Sequence, residues 1–96
     1  MSDYIFLHHN DAGDHDIEEW APYLDRLREL GVLHGGSPIG DGVTYRKSGA
    51  PRPVTSDIYG YIRVQADDLA AASRLLEGHP CYEAGGTVEI RQLPWI

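Results

Sequence analysis

The sequence predicts an α+β fold of the ferredoxin-like kind, in which a four-stranded antiparallel sheet carries two helices on one face. Two observations predict it. Strand-like and helix-like segments follow one another in the order βαββαβ, and both helical segments carry an apolar stripe of similar length. A chain of 96 residues has the length of one small domain, so we expect a single domain over residues 1–96.

The first strand and helix are the clearest elements in the pattern. Residues 4–8 are a short apolar run, which predicts a strand. Apolar side chains then recur at helical spacing over residues 17–30, which predicts an amphipathic helix. Asp16 is the expected N-cap of this helix, and Gly31 is the expected left-handed stop.

The middle of the chain is rich in glycine. Residues 32–39 predict a second strand, and the pair Gly35 and Gly36 within it indicates a bulge or a close approach of two backbones. Residues 40–55 carry further glycines and prolines, which indicates a hairpin or an excursion over the surface.

The last third of the chain predicts strand, helix and strand again. Residues 58–65 alternate between apolar and polar side chains, as a strand with one buried face does. Asp67 is the expected cap of a second helix over residues 68–77, which Gly78 and Pro80 end. A final strand is predicted over residues 87–93.

Strand alternation predicts which side chains face away from the helices. The apolar set under the helices is Ile58, Ile62, Val64, Val88 and Ile90. The opposite set mixes aromatic and charged side chains and consists of Tyr59, Tyr61, Arg63, Glu89 and Arg91. A second copy of the chain would cover such a face economically, and two stacked four-stranded sheets would form an eight-stranded barrel with room for a small ligand. A plain solvated sheet face is the alternative.

Composition disfavours two classes of partner and excludes two cysteine-based features. The formal net charge is −7, with 8 Lys+Arg against 15 Asp+Glu, which disfavours nucleic acid and anionic membranes. The single cysteine, Cys81, excludes an internal disulfide and a cysteine-built zinc cluster. The sequence shows no signal peptide and no apolar run long enough to span a membrane, so we expect a cytoplasmic protein.

Three segments resemble the YCII-related domain family, in its DGPF-type branch. They are W-x-x-Y-x-x-x-L-x-x-x-G-V-L over residues 20–33, V-T-S-D over residues 54–57, and the ending G-G-T-V-E-I-R over residues 85–91. The resemblance covers nearly the whole chain, and it implies a ferredoxin-like fold and a homodimeric α+β barrel.

The chain departs from the family pattern in two places. The Asp-Gly-Pro-Phe tetrapeptide is absent after Val54, and the stretch that usually follows it is shorter. Trp20 stands where the YCII branch carries a helix histidine that is proposed to act with an aspartate. A His-Asp pair of that kind is therefore not carried over to this chain.

His34 and Asp57 are the candidate catalytic residues. His34 lies in the second predicted strand beside two glycines, and an imidazole there is a candidate general base. Asp57 opens the third strand, where it would point into the mouth of a barrel. The structural alternatives are a hydrogen-bonded histidine and an ordinary Ser-Asp turn. The predicted ligand-binding residues are Tyr59, Tyr61, Arg63, Glu89 and Arg91, with the arginines holding an anionic group.

The remaining polar residues favour structural roles. His8, His9 and His15 lie close in sequence to Asp11, Asp14 and Asp16, but no recognised metal spacing is present, so we expect a polar loop and no metal. His79 follows the second helix, where a cation would favourably meet the helix C-terminus. Cys81 lacks a basic activator in sequence and is expected to be an inert, partly buried thiol.

The expected function is binding of a small organic molecule, with an anionic group as one option, in the pocket of a homodimeric barrel. Acid/base chemistry without a cofactor, such as isomerisation, elimination or hydrolysis, is one form of this hypothesis. A non-catalytic binding or assembly module is the alternative. A haem- or oxygen-dependent monooxygenase is a third possibility, and it requires an axial ligand or a reactive aromatic side chain at the pocket.

Overall fold

A computed structural model describes residues 1–14 and 16–95 and shows one four-stranded antiparallel sheet. The strands are β1 (Ser2–His9), β2 (Leu33–Pro38), β3 (Ile58–Ala66) and β4 (Val88–Leu93), in the spatial order β2-β3-β1-β4. The helices are α1 (Trp20–Glu29), α2 (Leu69–Arg74) and the short α3 (Pro80–Glu83). The predicted α+β fold is confirmed, and the strand order is compatible with a ferredoxin-like sheet.

The core lies between the sheet and the helices. Alternate residues of the central strand β1 are buried, namely Tyr4, Phe6 and His8. Tyr23 and Leu27 of α1 meet them from above, and the Tyr23 hydroxyl donates a 2.7 Å hydrogen bond to the carbonyl of Leu75 after α2. Ala72 of α2 packs in the same cluster, so both helices cover one face, as the apolar stripes predict.

The first helix begins later than the sequence pattern predicts. Residues Ile17–Glu19 form a 3₁₀ turn, and α1 starts only at Trp20. Because a 3₁₀ turn has three residues per turn, Ile17 is rotated off the apolar face of α1, and it is 83% exposed. Asp16 occupies the N-cap position without a side-chain cap bond, whereas the predicted stop at Gly31 is confirmed by its φ of 73°.

The second helix is shorter than predicted, and its cap is Asp68 rather than Asp67. The Asp68 carboxylate accepts a 2.8 Å hydrogen bond from the backbone N–H of Ala71, and the helix ends after Arg74. Gly78 turns the chain with a φ of 81°, and Pro80 then opens α3, which the sequence pattern does not predict.

Strand β2 approaches β3 closely at the predicted glycine pair. The register shifts between Leu33 and Gly35, which confirms the expected bulge. A Cβ atom at Gly36 would lie 2.7 Å from the carbonyl oxygen of Tyr61 and 2.8 Å from the Ile62 side chain. Only glycine fits at position 36, because backbone atoms occupy the space of a side chain.

The predicted excursion over residues 40–55 is confirmed as a segment without helix or strand. Residues 42–56, here called the arm, are all exposed. The radius of gyration is 14.8 Å, whereas a compact chain of this length has about 12.5 Å, so the chain is less compact than a typical domain of its size. No described helix is both long and apolar enough to cross a bilayer.

Leu27 and Leu30 provide a matched test of the core on one helix. Leu27 is fully buried, whereas Leu30 at the end of α1 is 59% exposed. We expect Leu27→Ala to lower the free energy of unfolding by about 2–5 kcal/mol, because it removes buried methyl groups and leaves a cavity. Leu30→Ala should cost less than about 1 kcal/mol. Urea titration followed by circular dichroism measures both, and equal losses would contradict this core assignment.

Candidate functional site

A cavity of about 560 Å³ lies between α1 and the β2–β3 side of the sheet. Its volume falls within the range of ligand pockets, roughly 300–1,000 Å³. The α1 wall is formed by Trp20, Leu24 and Arg28, and the exposed Ile17 stands at the start of that wall. The sheet wall is formed by His8, by Leu33 and residues 35–38 of β2, and by residues 59–62 of β3.

The cavity exists because the sheet presents glycine where the helix presents large side chains. Gly35, Gly36 and Gly60 all line it, and a Cβ at Gly60 would lie 3.3 Å from Nδ1 of His8. Across the gap, Trp20 and Leu24 are only partly buried against the core. The space left by the missing side chains is therefore mainly apolar, and it suits the apolar body of an organic molecule.

His8 lies in a cage of rings at one end of this cavity. Its imidazole centroid is 4.9 Å from that of Trp20, 5.8 Å from that of Tyr59 and 4.7 Å from that of His79. The His8 side chain is 4% exposed, and its Nε2 atom is buried without a hydrogen bond to any described residue. Burial lowers the pKa of His8 to about 4, so the imidazole is neutral at neutral pH.

Tyr59, which packs on His8, and Cys81 also carry buried titratable groups. Burial, reinforced by a contact with Cys81, raises the pKa of the Tyr59 hydroxyl well above its usual range. Burial also raises the pKa of the Cys81 thiol, whose Sγ lies 3.5 Å from the carbonyl oxygen of His9. The predicted inert thiol is thus buried and protonated at neutral pH, which removes its nucleophilic form.

The structure corrects the predicted orientations of Tyr59 and His79. Strand β3 has one residue more than β1 at this point, because His9 pairs with Ile58 and His8 with Gly60. Tyr59 is the extra residue, and its ring packs on His8 on the helix side instead of facing away. His79 is buried at the start of α3, where its Nδ1 accepts a hydrogen bond from the Tyr82 N–H, so it caps the N-terminus of α3 instead of meeting the C-terminus of the second helix.

The face of the sheet opposite the helices presents an apolar centre with charged flanks. Ile5 of β1 pairs with Arg63 on one side and with Arg91 on the other. Leu7, two residues along β1, lies between Tyr61 and Glu89 in the same way. The open face, as we call this surface, therefore carries four of the five predicted ligand-binding residues, namely Tyr61, Arg63, Glu89 and Arg91.

Charges on the open face are only partly paired. Glu89 accepts hydrogen bonds of 3.1 Å from Arg91 and from Nε2 of His9, and these partners, Arg91 first, hold the pKa of its carboxyl below the usual value. Arg63 donates a 2.9 Å hydrogen bond to the backbone carbonyl of His34 and forms no ion pair among the described residues. Arg63 is therefore the uncompensated cation of this face.

The two candidate bases do not meet. His34 is exposed at the end of β2 that pairs with Arg63, whereas Asp57 precedes the opposite end of β3. Positions 57 and 63 are six residues apart along the chain, which corresponds to roughly 20 Å of strand. Asp57 is exposed, and its carbonyl accepts a 2.8 Å hydrogen bond from the Asn10 N–H, as a turn residue does. Neither side chain lines the cavity.

The polar N-terminal set divides into separate structural roles. His8 points into the core and His9 onto the open face. Asp11 receives 2.7 Å hydrogen bonds from the backbone N–H and the hydroxyl of Thr87, which secures the start of β4 and lowers the pKa of its carboxyl. His15 lies outside the described residues. Within the part of the chain that is described, no three metal-ligating side chains come together.

Sequence reasoning misses the cavity and the residues that line it. Strand parity directs attention to the open face, and Trp20 and Leu24 read as core residues. The expected polar loop is wrong for His8, which is a buried residue of β1. The available signal is the glycine pair at positions 35 and 36 together with Gly60, because three small residues on adjacent strands leave a gap beneath a bulky helix.

The chain matches no protein-family model, and it matches no curated protein.

The burial of neutral His8 predicts how the free energy of unfolding depends on pH. Its pKa is near 6.5 in the unfolded chain and about 4 in the folded one, so the unfolded state binds more protons between these values. The free energy of unfolding should therefore fall as the pH drops from 6.5 towards 4, by about 3 kcal/mol from this group. In His8→Phe this loss should disappear.

Urea titrations at several pH values measure the effect. The other four histidines are common to both proteins, so the difference between wild type and His8→Phe isolates His8. Parallel pH profiles for the two proteins would show that His8 does not titrate with a lowered pKa.

Proposed function

We propose that this chain is a YCII-related protein that binds a small organic molecule in the cavity between α1 and the β2–β3 side of the sheet. The observation that carries the proposal is the cavity itself, which combines an apolar wall with one buried imidazole. Trp20 offers a ring face to an aromatic or aliphatic body, and His8 Nε2 offers a hydrogen bond to a neutral polar group.

Binding is favoured over acid/base catalysis by the state of the available bases. With a pKa of about 4, His8 is too weak a base to hold an abstracted proton near neutral pH, although it remains a good hydrogen-bonding partner. His34 and Asp57 lie far apart and outside the cavity. Acid/base turnover remains the alternative form of this proposal, and a protein that converts its bound ligand would establish it.

Fluorescent probe binding tests the cavity. The probe is 8-anilinonaphthalene-1-sulfonate, whose fluorescence increases in apolar pockets and whose size fits a space of about 560 Å³. Leu24→Trp should weaken its binding at least tenfold, because the larger indole fills the cavity from the α1 wall. Leu30→Trp, at the C-cap position just after α1 and outside the cavity, should leave the dissociation constant unchanged.

Near-ultraviolet circular dichroism of both variants checks that the core is intact. A folded Leu24→Trp protein that binds the probe as tightly as the wild type would contradict the proposed site.

We further propose a cytoplasmic homodimer in which two open faces stack. The support is the composition of the face, with half-buried Ile5 and Leu7 at its centre and a charged rim around them. A two-fold axis places like surface on like, and the stacked sheets would form the eight-stranded barrel that the resemblance implies. Arg63 would then supply a cation for an anionic group inside the barrel.

Leu7→Arg tests this stacking. An added cation at the apolar centre should raise the dissociation constant of the dimer at least a hundredfold, because it would be buried without a counter-charge. Gln92→Arg adds the same charge on the other parity of β4, beside Tyr4, and should leave the dimer intact. Sedimentation equilibrium measures both against the chain mass of 10.7 kDa, and a Leu7→Arg dimer as stable as the wild type would refute the stacked arrangement.

A further inference from the structure

The arm is an exposed segment with unburied apolar side chains. Tyr45 is 90% exposed and Val43 is 72% exposed, and Val54 on the returning leg is 46% exposed. Val43 and Tyr45 are two residues apart on the outgoing leg. Large apolar groups held in solvent on a projecting segment are typical of a contact surface.

The arm has its own internal support. The Thr44 hydroxyl donates a 2.6 Å hydrogen bond to the carbonyl of Arg52, which joins the two legs, and Arg46 reaches the carbonyl of Ala50 across the tip. Pro51 and Pro53 restrict the returning leg. These restraints give the arm internal order while all of its residues stay exposed, so its side chains are available to a second molecule.

Charge separates the arm from the rest of the chain. The arm contains Arg46, Lys47 and Arg52 and no acidic residue, so it carries a formal charge of +3. The rest of the chain then carries −10, because the whole chain carries −7. A basic arm on a strongly acidic body is electrostatically complementary to another copy of that body.

A matching surface lies at the 3₁₀ turn before α1. Ile17 is 83% exposed at the edge of the cavity, and the exposed carboxylates of Glu18 and Glu19 follow it directly. This pattern of one large apolar side chain beside two anions mirrors the arm, where Tyr45 precedes Arg46 and Lys47.

We propose that the arm of one protomer docks on the 3₁₀ turn of a second copy and covers the mouth of that copy's cavity. Tyr45 packs on Ile17, and the basic residues beside it face Glu18 and Glu19. A two-fold pair satisfies both arms at once, because each chain supplies one arm and one turn. The inference rests on the homodimer of the proposed function and adds that each site is completed by its partner.

Photocrosslinking tests the contact directly. Tyr45 is replaced by benzoylphenylalanine, and equal amounts of ¹⁴N-labelled and ¹⁵N-labelled protein are mixed before irradiation. We expect crosslinked peptides that join the arm to residues 16–29 and that carry mixed isotopes, which only a contact between two chains produces.

Charge reversal tests the electrostatic part. Arg46→Glu, Lys47→Glu and Arg52→Glu together should raise the dissociation constant of the dimer at least tenfold in low salt, and the effect should shrink at high salt. The matched control, Arg46→Lys with Arg52→Lys, keeps the charge and should retain the wild-type constant.

These experiments distinguish a failure of the arm contact from a failure of the stacked dimer. Crosslinks within single chains, or a dimer indifferent to charge reversal, would overturn the arm contact while leaving the stacked dimer in place. A wild-type chain that is monomeric throughout would overturn both the arm contact and the stacking. Probe binding in the cavity is measured separately, on the Leu24→Trp and Leu30→Trp variants, so a failure of the ligand site is distinguishable from a failure of the arm contact.

Discussion

The cavity end of the molecule depends on one interaction. This interaction is the packing of the His8 imidazole among the rings of Trp20, Tyr59 and His79. These three rings come from α1, from β3 and from the turn before α3, so one side chain of the central strand contacts every layer. The contacts are available only to a neutral imidazole, because a buried cation without a carboxylate partner is costly. Burial therefore determines the protonation state of His8 at the end of the cavity.

The two faces of the sheet have different chemistry because they carry different side chains. On the helix side, glycines replace side chains beneath α1 and leave an apolar space next to a neutral hydrogen-bonding group. On the open face, charged side chains surround Ile5 and Leu7, and Arg63 is left without a carboxylate among the described residues. The apolar space on the helix side suits an apolar molecule bound within one chain. The open face suits contact with another protein surface.

The arm connects these two observations. The chain leaves the sheet after Pro38, which itself lines the cavity, and the arm begins four residues later. The arm is positively charged, whereas the 3₁₀ turn is acidic. The sequence shows this difference in charge, but only the structure shows that both segments are exposed.

The sequence by itself determined the order of the four strands and of α1 and α2, the antiparallel α+β fold, the left-handed stop at Gly31 and the bulge at Gly35, because hydrophobic periodicity and glycine act locally. It also placed Tyr61, Arg63, Glu89 and Arg91 correctly on the face opposite the helices, since alternation holds along a regular strand. Tertiary structure decided the rest. An extra residue in β3 turned Tyr59 towards His8, a 3₁₀ turn exposed Ile17, and the cavity arose from three glycines on neighbouring strands facing one helix. None of these follows from local pattern, because each depends on which residues lie opposite one another across strands or between layers.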